Sequence, residues 1–224
     1  MLKIRWIGQS GYILNDGNTE ICIDPYLSDA VNRLAGRPRT RPIPIEPEDV
    51  KSNIIICTHN HLDHIDIDAI PKMNKENMQF LAPSCCEQVL RELGVKEFIP
   101  FDLGATMVVG DFKISAVFAD HTIPAIGVII EHKGQKLYFT GDTFYNERLE
   151  SIICDYMFIC INGKLGNMTV EEAIRLTEKI QPTSAVPNHY DMFESNRENP
   201  ERFAVPNRFI MEFNRLYSLE ELRG

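Results

Sequence analysis

No run in this 224-residue chain approaches the roughly 20 consecutive apolar positions that a membrane-crossing helix needs, so no spanning helix is expected. The opening MLKIRWIGQSGY has no apolar centre and no small-residue cleavage site, which argues against a secretory leader and for a cytoplasmic protein. None of the six cysteines (Cys22, Cys57, Cys85, Cys86, Cys154 and Cys160) stands in a C-x-x-C pair, and most fall in apolar, strand-like runs. That pattern excludes a zinc knuckle and a disulfide framework and fits buried free thiols. Positive charge is also scarce: 23 Lys and Arg against 32 Asp and Glu leave a net charge of −9, which disfavours nucleic acid as a partner. There is no fixed-period repeat and no low-complexity tract. The length fits one domain spanning residues 1–224.

What is present is a succession of short β-branched runs. LKIRWIG, GYILND, TEICID and SNIIICTH read as strands, with NDGN as a hairpin turn. The all-apolar NIIIC predicts a strand buried on both faces. Residues 29–50, rich in Pro and Arg, predict a long loop. Residues 66–75 and 84–95 predict helices around the strand MQFLAP, with Gly94 placed to end the second helix. EFIPF, residues 106–120, a hairpin turning at Lys133-Gly134, and YMFICIN follow as strands. Thr169 and Glu172 have capping-box spacing and open a helix with Val170, Ala173, Ile174 and Thr177 on one face, closed by Pro182. SAVPN is a further strand, and residues 200–217 predict a C-terminal helical region.

The chemistry is concentrated in CTHNHLDHID, residues 57–66. His59 and His61, two apart in a turn after a buried strand, converge on one ion; Asp63 and His64, one turn on, point at a neighbouring ion. A single closed site would not need four such groups so close together. Two ions require further ligands, and three candidates recur in one setting, an apolar strand followed by loop: His121 in FADHTIP, Asp142 in YFTGDTF beside Gly141, and His189 in AVPNHYDMF. His132, beside a hairpin turn, reads as a surface residue without a role. Asn162, Lys164 and Asn167 in INGKLGNMT follow a buried strand and precede the Thr169 cap. They are either a phosphate- or carboxylate-holding loop or a plain Gly-Asn turn. Arg33, Arg37, Arg39 and Arg41 either gather an anionic substrate or form a solvated, Pro-stiffened loop. Tyr190 and Asp191 are placed to orient His189.

THNHLDHID matches the H-x-H-x-D-H signature of the metallo-β-lactamase superfamily, and ADHT, TGDT and PNHYDMF resemble its later ligand motifs in the same order. WIGQSG, IDPYLSD, INGKLGNMT and PNHYDMF are similar to the branch that contains L-ascorbate-6-phosphate lactonase. This resemblance implies an α/β fold, a four-layer αββα sandwich of two mixed β-sheets flanked by helices with the site on one edge. It implies His59, His61 and His121 on one metal, Asp63, His64 and His189 on the other, and Asp142 bridging. Asn60 stands where the oxygen-reducing di-iron branch has glutamate, which disfavours redox chemistry.

The expected function is hydrolysis of an ester, lactone or phosphoester of a small anionic substrate, a sugar-phosphate lactone among the candidates. Two divalent ions would supply the activated water, with Asp63 and Asp142 as the catalytic carboxylates. Zinc or manganese is favoured, and iron or nickel would also suit such ligands. The alternatives are a phosphodiesterase or nuclease of the same superfamily, or a metal-binding scaffold without turnover. A homo-oligomer is compatible with all three.

Overall fold

The computed structural model describes residues 1–223. Its strands, in chain order, are β1 (Lys3–Gly8), β2 (Gly11–Asn15), β3 (Glu20–Ile23), β4 (Ile54–Ile56), β5 (Gln79–Ala82), β6 (Phe98–Pro100) and β7 (Thr106–Val109). β8 (Phe112–Phe118), β9 (Ile126–His132), β10 (Gln135–Phe139), β11 (Tyr156–Cys160), β12 (Ser184–Asn188) and β13 (Leu216–Ser218) complete them. The α-helices among the described residues are α1 (Ala30–Ala35), α2 (Glu87–Glu92) and α3 (Val170–Ile180), and none is long and apolar enough to cross a membrane.

The strands form two mixed sheets, ordered β13-β1-β2-β3-β4-β5-β6 and β12-β11-β10-β9-β8-β7. In the first, β3 to β6 are parallel and β1–β2–β3 is an antiparallel meander. In the second, β10, β11 and β12 are parallel and β7–β8–β9–β10 is antiparallel. β1, β3 and β4 therefore share one direction in the first sheet, and β8, β10, β11 and β12 share one in the second.

β4 shows why the sheets stack. Ile54 and Ile56 enter the core between the sheets with Ile23, Ile114, Val128 and Phe158. Ile55, on the opposite face, joins Cys22, Phe80 and Leu90 of α2 in a second core. Successive strand residues point to opposite faces, so a strand covered on both sides must be apolar throughout, as NIIIC is. Helix α3 covers the other sheet with Val170, Ala173, Leu176 and Thr177 buried and Ile174 partly so. Its capping box is complete: Thr169 Oγ1 accepts from the Glu172 N–H at 3.2 Å, and the Glu172 carboxylate accepts from the Thr169 N–H at 2.9 Å. The result is a two-sheet sandwich, as the resemblance implied, whose helical layers are thin.

The structure corrects several local expectations. Residues 29–50 contain α1, closed by Gly36 at φ +65, whose N–H bonds Asn32 O at 2.9 Å. Residues 66–75 form only 3₁₀ turns, Ile70–Lys72 and Lys75–Asn77, because Pro71 cannot donate within a continuing helix. Residues 84–95 split into a 3₁₀ turn and the six-residue α2, ended near Gly94 at φ +83. The C-terminal helical region is absent: Pro206 interrupts it, only Pro200–Arg202 forms a 3₁₀ turn within residues 200–217, and the chain runs on to β13, which covers the edge of β1. His132 is buried rather than on the surface. Its ring centroid lies 4.7 Å from that of Phe112, and Nε2 is 3.4 Å from Asp16 Oδ2.

Candidate metal centre

The co-directional strands end at one edge of the sandwich, and the polar motifs begin there. His59, His61, Asp63 and His64 follow β4; His121 follows β8, Asp142 follows β10 and His189 follows β12. The sheets are stitched together at this edge by a bridge between His59 and Ala125 and by the Ile126 N–H donating to Thr58 O at 3.1 Å. Gly141, at φ +60, lets Asp142 turn in beside β4, where a Cβ would lie 3.0 Å from Ile126 O and 3.3 Å from Thr58. His189 itself adopts φ +60, a conformation costly for a non-glycine residue and kept here at the site.

Two groups of donors result: His59, His61, His121 and Asp142 in one, and Asp63, His64 and His189 in the other, the donor atoms of each lying within 4.8 Å of one another. In the first, His59 Nε2 is 2.9 Å from His61 Nδ1, which is 3.2 Å from His121 Nε2. Asp142 Oδ1 reaches the second group, 3.3 Å from His64 Nε2 and 3.2 Å from His189 Nε2. Asp63 Oδ2 lies 3.4 Å from His189 Nε2. All seven residues named from the sequence as ligands thus meet at one place.

The electrostatics fit cations. Burial, then neighbouring imidazoles, hold His59 well below the ordinary histidine range and also lower His61 and His121. A neutral imidazole keeps a nitrogen lone pair free for a cation, and two ligands of a tetrahedral zinc stand at about 3 Å, the spacing of these ring nitrogens. Burial lowers His64 too, but Asp24, Asp142 and Asp63 outweigh it and raise it well above its usual value; His189 rises against burial through Asp142 and Asp63. Burial raises both carboxylates, yet the facing histidines bring Asp63 and Asp142 below the usual carboxylate range. The buried His64 Nε2 has no hydrogen-bond partner among the described residues. A divalent ion would satisfy that atom and the carboxylates together, so the donor set fits metal.

Several supporting residues had not been singled out from sequence. Asp24, fully buried at φ +44, accepts from Thr58 N and Thr58 Oγ1 at 2.8 Å each and lies 2.8 Å from His64 Nδ1. Gln9 Nε2 donates to Asp63 Oδ2 at 2.7 Å, and Ser10 Oγ reaches Asp142 Oδ1 at 3.5 Å. Their only signal was position, in WIGQSG and IDPYLSD after β1 and β3. The INGKLGNMT loop also supports ligands. The Asn162 amide meets His189 Nδ1 at 2.9 Å, Asn167 Nδ2 donates to Asp142 Oδ2 at 3.0 Å, and Gly166 O faces His121 Nδ1 at 3.1 Å. Lys164 Nζ donates to Ser195 O at 2.8 Å. These side chains are occupied within the fold rather than left facing a substrate. Tyr190 packs on Trp6, ring centroids 5.3 Å apart, and Asp191 pairs with Arg41 at 2.5 Å, so neither touches His189 by a side-chain hydrogen bond.

A pocket of about 380 Å³ opens onto the centre through His61 and Asp63, with Val31, Leu62 and Leu165 on its walls and Arg37 at its rim. A larger cavity of about 770 Å³, bounded by Trp6, Arg41, Tyr190 and Phe213, contains none of the seven candidate ligands, so the chemistry belongs to the smaller one.

The beta-lactamase superfamily domain profile matches residues 19–190, a span that includes all seven candidate ligands. A UPF0173 metal-dependent hydrolase of Thermoplasma acidophilum is 30% identical over 214 residues, 90% of this chain and 89% of the relative. Among solved structures, the metallo hydrolase Igni18 of Ignicoccus hospitalis superposes with a TM-score of 0.79 at 21% identity, covering 96% of this chain and 97% of the other. The metallo-beta-lactamase fold protein YhfI of Bacillus subtilis gives 0.74 at 18% identity, covering 97% and 100%. Sandwich and ligand cluster define the class, the metallo-β-lactamase superfamily. Within it, the chain belongs to the UPF0173 family.

Proposed function

We propose that the chain is a metal-dependent hydrolase that cleaves an ester, lactone or phosphoester bond of a small anionic substrate with water. The supporting observation is the convergence of seven donors in two groups that share Asp142, beside a pocket that meets them at His61 and Asp63. His59, His61 and His121 would hold one divalent ion, and Asp63, His64 and His189 a second, with Asp142 between them. When bound, such ions lower the pKa of water and act as Lewis acids toward the substrate's carbonyl or phosphoryl oxygen.

The protein's own groups do the rest. Asp63, held by Gln9 and kept ionised by His64 and His189, would orient the attacking water by accepting a hydrogen bond from it. Asp24 and Thr58 fix the ring of His64, and Asn162 and Gly166 fix His189 and His121. The 380 Å³ pocket lies toward the small end of the roughly 300–1,000 Å³ range of ligand sites, room for a compact ester or lactone rather than a polymer strand. Zinc or manganese is the metal we favour, since both accept mixed imidazole and carboxylate ligation.

The test is elemental analysis of the purified chain beside Asp142→Ala, followed by hydrolysis of p-nitrophenyl acetate and bis-p-nitrophenyl phosphate before and after chelation. Two equivalents of metal, reduced in the variant, with chelator-sensitive turnover of the carboxylic ester support the reading. Preference for the phosphodiester would move the assignment to a phosphodiesterase, and metal without turnover would leave a scaffold.

A further inference from the structure

The arginine-rich stretch before β4 resolves into four different fates. Arg33 is spent on Asp68, to which it donates from Nε at 2.9 Å and Nη2 at 2.6 Å. Arg39 stacks over Tyr26 and donates to the carbonyls of Tyr26 and Ser28 at 2.9 Å each, so it pins the loop to itself. Arg41 is held by Asp191. Arg37 alone makes no hydrogen bond or ion pair among the described residues, and it stands, half-buried, at the rim of the pocket that opens on His61 and Asp63. It is the only cationic side chain lining that pocket.

A second, independent feature belongs to the same pocket. Leu165 has φ +55, a left-handed backbone that glycine or asparagine would adopt at less cost, and its side chain is 52% exposed. A solvent-facing turn gains nothing from leucine there. The strain is explained if the side chain is needed where it is, on the wall of the pocket that Val31 and Leu62 also line. The remaining wall is Ala35, Thr122 and Gly166, so beyond His61, Asp63 and Arg37 the Thr122 hydroxyl is the one polar side-chain group among the lining residues, too few partners for a polyhydroxylated ligand. A single guanidinium above an aliphatic slot matches a ligand with an apolar body and one carboxylate, and it matches a polyhydroxylated sugar phosphate poorly.

We propose that Arg37 and Leu165 set the specificity of the centre for carboxylic esters or lactones that have an aliphatic body and a single carboxylate, the carboxylate paired with Arg37 and the body packed on Leu165. This rests on the hydrolase reading above and narrows its substrate class.

The experiment compares mono-p-nitrophenyl suberate, p-nitrophenyl octanoate and gluconolactone 6-phosphate on the manganese-loaded full chain, in wild type, Arg37→Gln and Leu165→Gly. The suberate monoester should exceed the octanoate in kcat/KM by about tenfold to a hundredfold, the range of a hydrogen bond to a charged group, and Arg37→Gln should abolish that ratio through KM. Leu165→Gly should lower kcat/KM for both p-nitrophenyl esters by about tenfold, the transfer value of a half-buried leucine, while relieving the backbone strain and leaving the thermal midpoint equal or higher. Preference for the sugar-phosphate lactone, or a suberate-to-octanoate ratio unaltered by Arg37→Gln, would overturn the proposal. Calorimetric titration of the metal-free chain with monomethyl and dimethyl suberate separates the two readings. Arg37-dependent binding of the monoanion with no turnover of any ester would refute hydrolysis but keep the pocket assignment, and equal binding of both would refute the assignment itself.

Discussion

Replacing Asp24 with asparagine keeps the shape of a buried side chain and removes one charge and one acceptor. In the native chain its two oxygens serve three partners, Thr58 N, Thr58 Oγ1 and the Nδ1 edge of His64, each at 2.8 Å. An amide has one oxygen, so its NH₂ must face either Thr58 or His64 and cannot anchor both. His64 would lose the carboxylate that fixes its ring and makes Nε2 a stronger donor toward the Asp63–His189 group. Loss of such an outer partner costs about 10- to 100-fold in metal affinity, or about 1.4–2.7 kcal/mol. The assay is competition between the protein and a chromophoric chelator, resolved into two equivalents. We expect the weaker binding to fall on one equivalent, the one held by Asp63, His64 and His189, while the one held by His59, His61 and His121 changes little. Wild-type affinity at both equivalents would refute the reasoning and reduce Asp24 to a packing residue, and an equal loss at both would show that the two groups are not separable sites.

Gly166→Ala places a Cβ 2.5 Å from the His121 ring at φ +93, so it should cost about 1–3 kcal/mol and weaken metal binding at the His59–His61–His121 group; differential scanning calorimetry and the chelator assay read both. Removing metal from a sample previously at a hundredfold excess over Kd should remove about 2.7 kcal/mol, a fall in thermal midpoint of about 5–11 °C for a chain of this length. Thr169→Ala breaks the capping box of α3 and should cost about 1 kcal/mol with unchanged metal stoichiometry, measured by urea denaturation and elemental analysis. Asp16 gives a pH signature: burial raises its pKa, but the N–H groups of Thr19 and Asn18 and the adjacent His132 lower it further, so its folded value lies below its unfolded one. Its contribution is present above its unfolded value and lost as pH falls through the folded value. Denaturation of Asp16→Asn should therefore differ from wild type near neutral pH and converge with it in acid.

The cluster of candidate donors was legible because each is local in its signal: a polar residue just after an apolar strand, repeated at His59, His121, Asp142 and His189. Capping chemistry made α3 legible in the same way, since Thr169, Glu172 and Pro182 mark both ends. What escaped was decided by residues far apart in sequence. Asp24 before Pro25 looks like a turn residue until β3 and β4 pair and bring Thr58 and His64 to it. His132 looks like a surface residue until the β2–β3 turn of the other sheet closes over it, with Thr19 so near Gly110 that an added Cβ would lie 2.6 Å from its hydroxyl. The C-terminal stretch has enough apolar residues for a helix, but the free edge of β1 recruits Leu216–Ser218 as a strand.

The same long-range logic explains why chemistry and selectivity separate in this chain. β1, β3 and β4 in one sheet and β8, β10, β11 and β12 in the other all end at one edge, so residues just past those ends meet whatever the loops between them do. Gln9, Asp24, His59, His121, Asp142, Asn162 and His189 occupy those positions, each held by a backbone already fixed in a sheet. Rigid strand ends suit a donor set that must hold its geometry to fractions of an ångström. The pocket wall is built differently: Val31, Ala35 and Arg37 come from α1 and the segment after it, and Leu165 from the loop between β11 and α3. Val31, Ala35, Arg37 and Leu165 make no side-chain hydrogen bond to the seven donors, so these four positions can change without disturbing them, unlike Asn162, Gly166 and Asn167 of the same β11–α3 loop. Donors on strand ends beside a wall on loops would let one scaffold keep its donor geometry while the loops select the ligand. On this reasoning, exchanging residues 31–37 and 165 should shift substrate preference with metal stoichiometry intact, whereas a change at any strand-end position should alter the metal first.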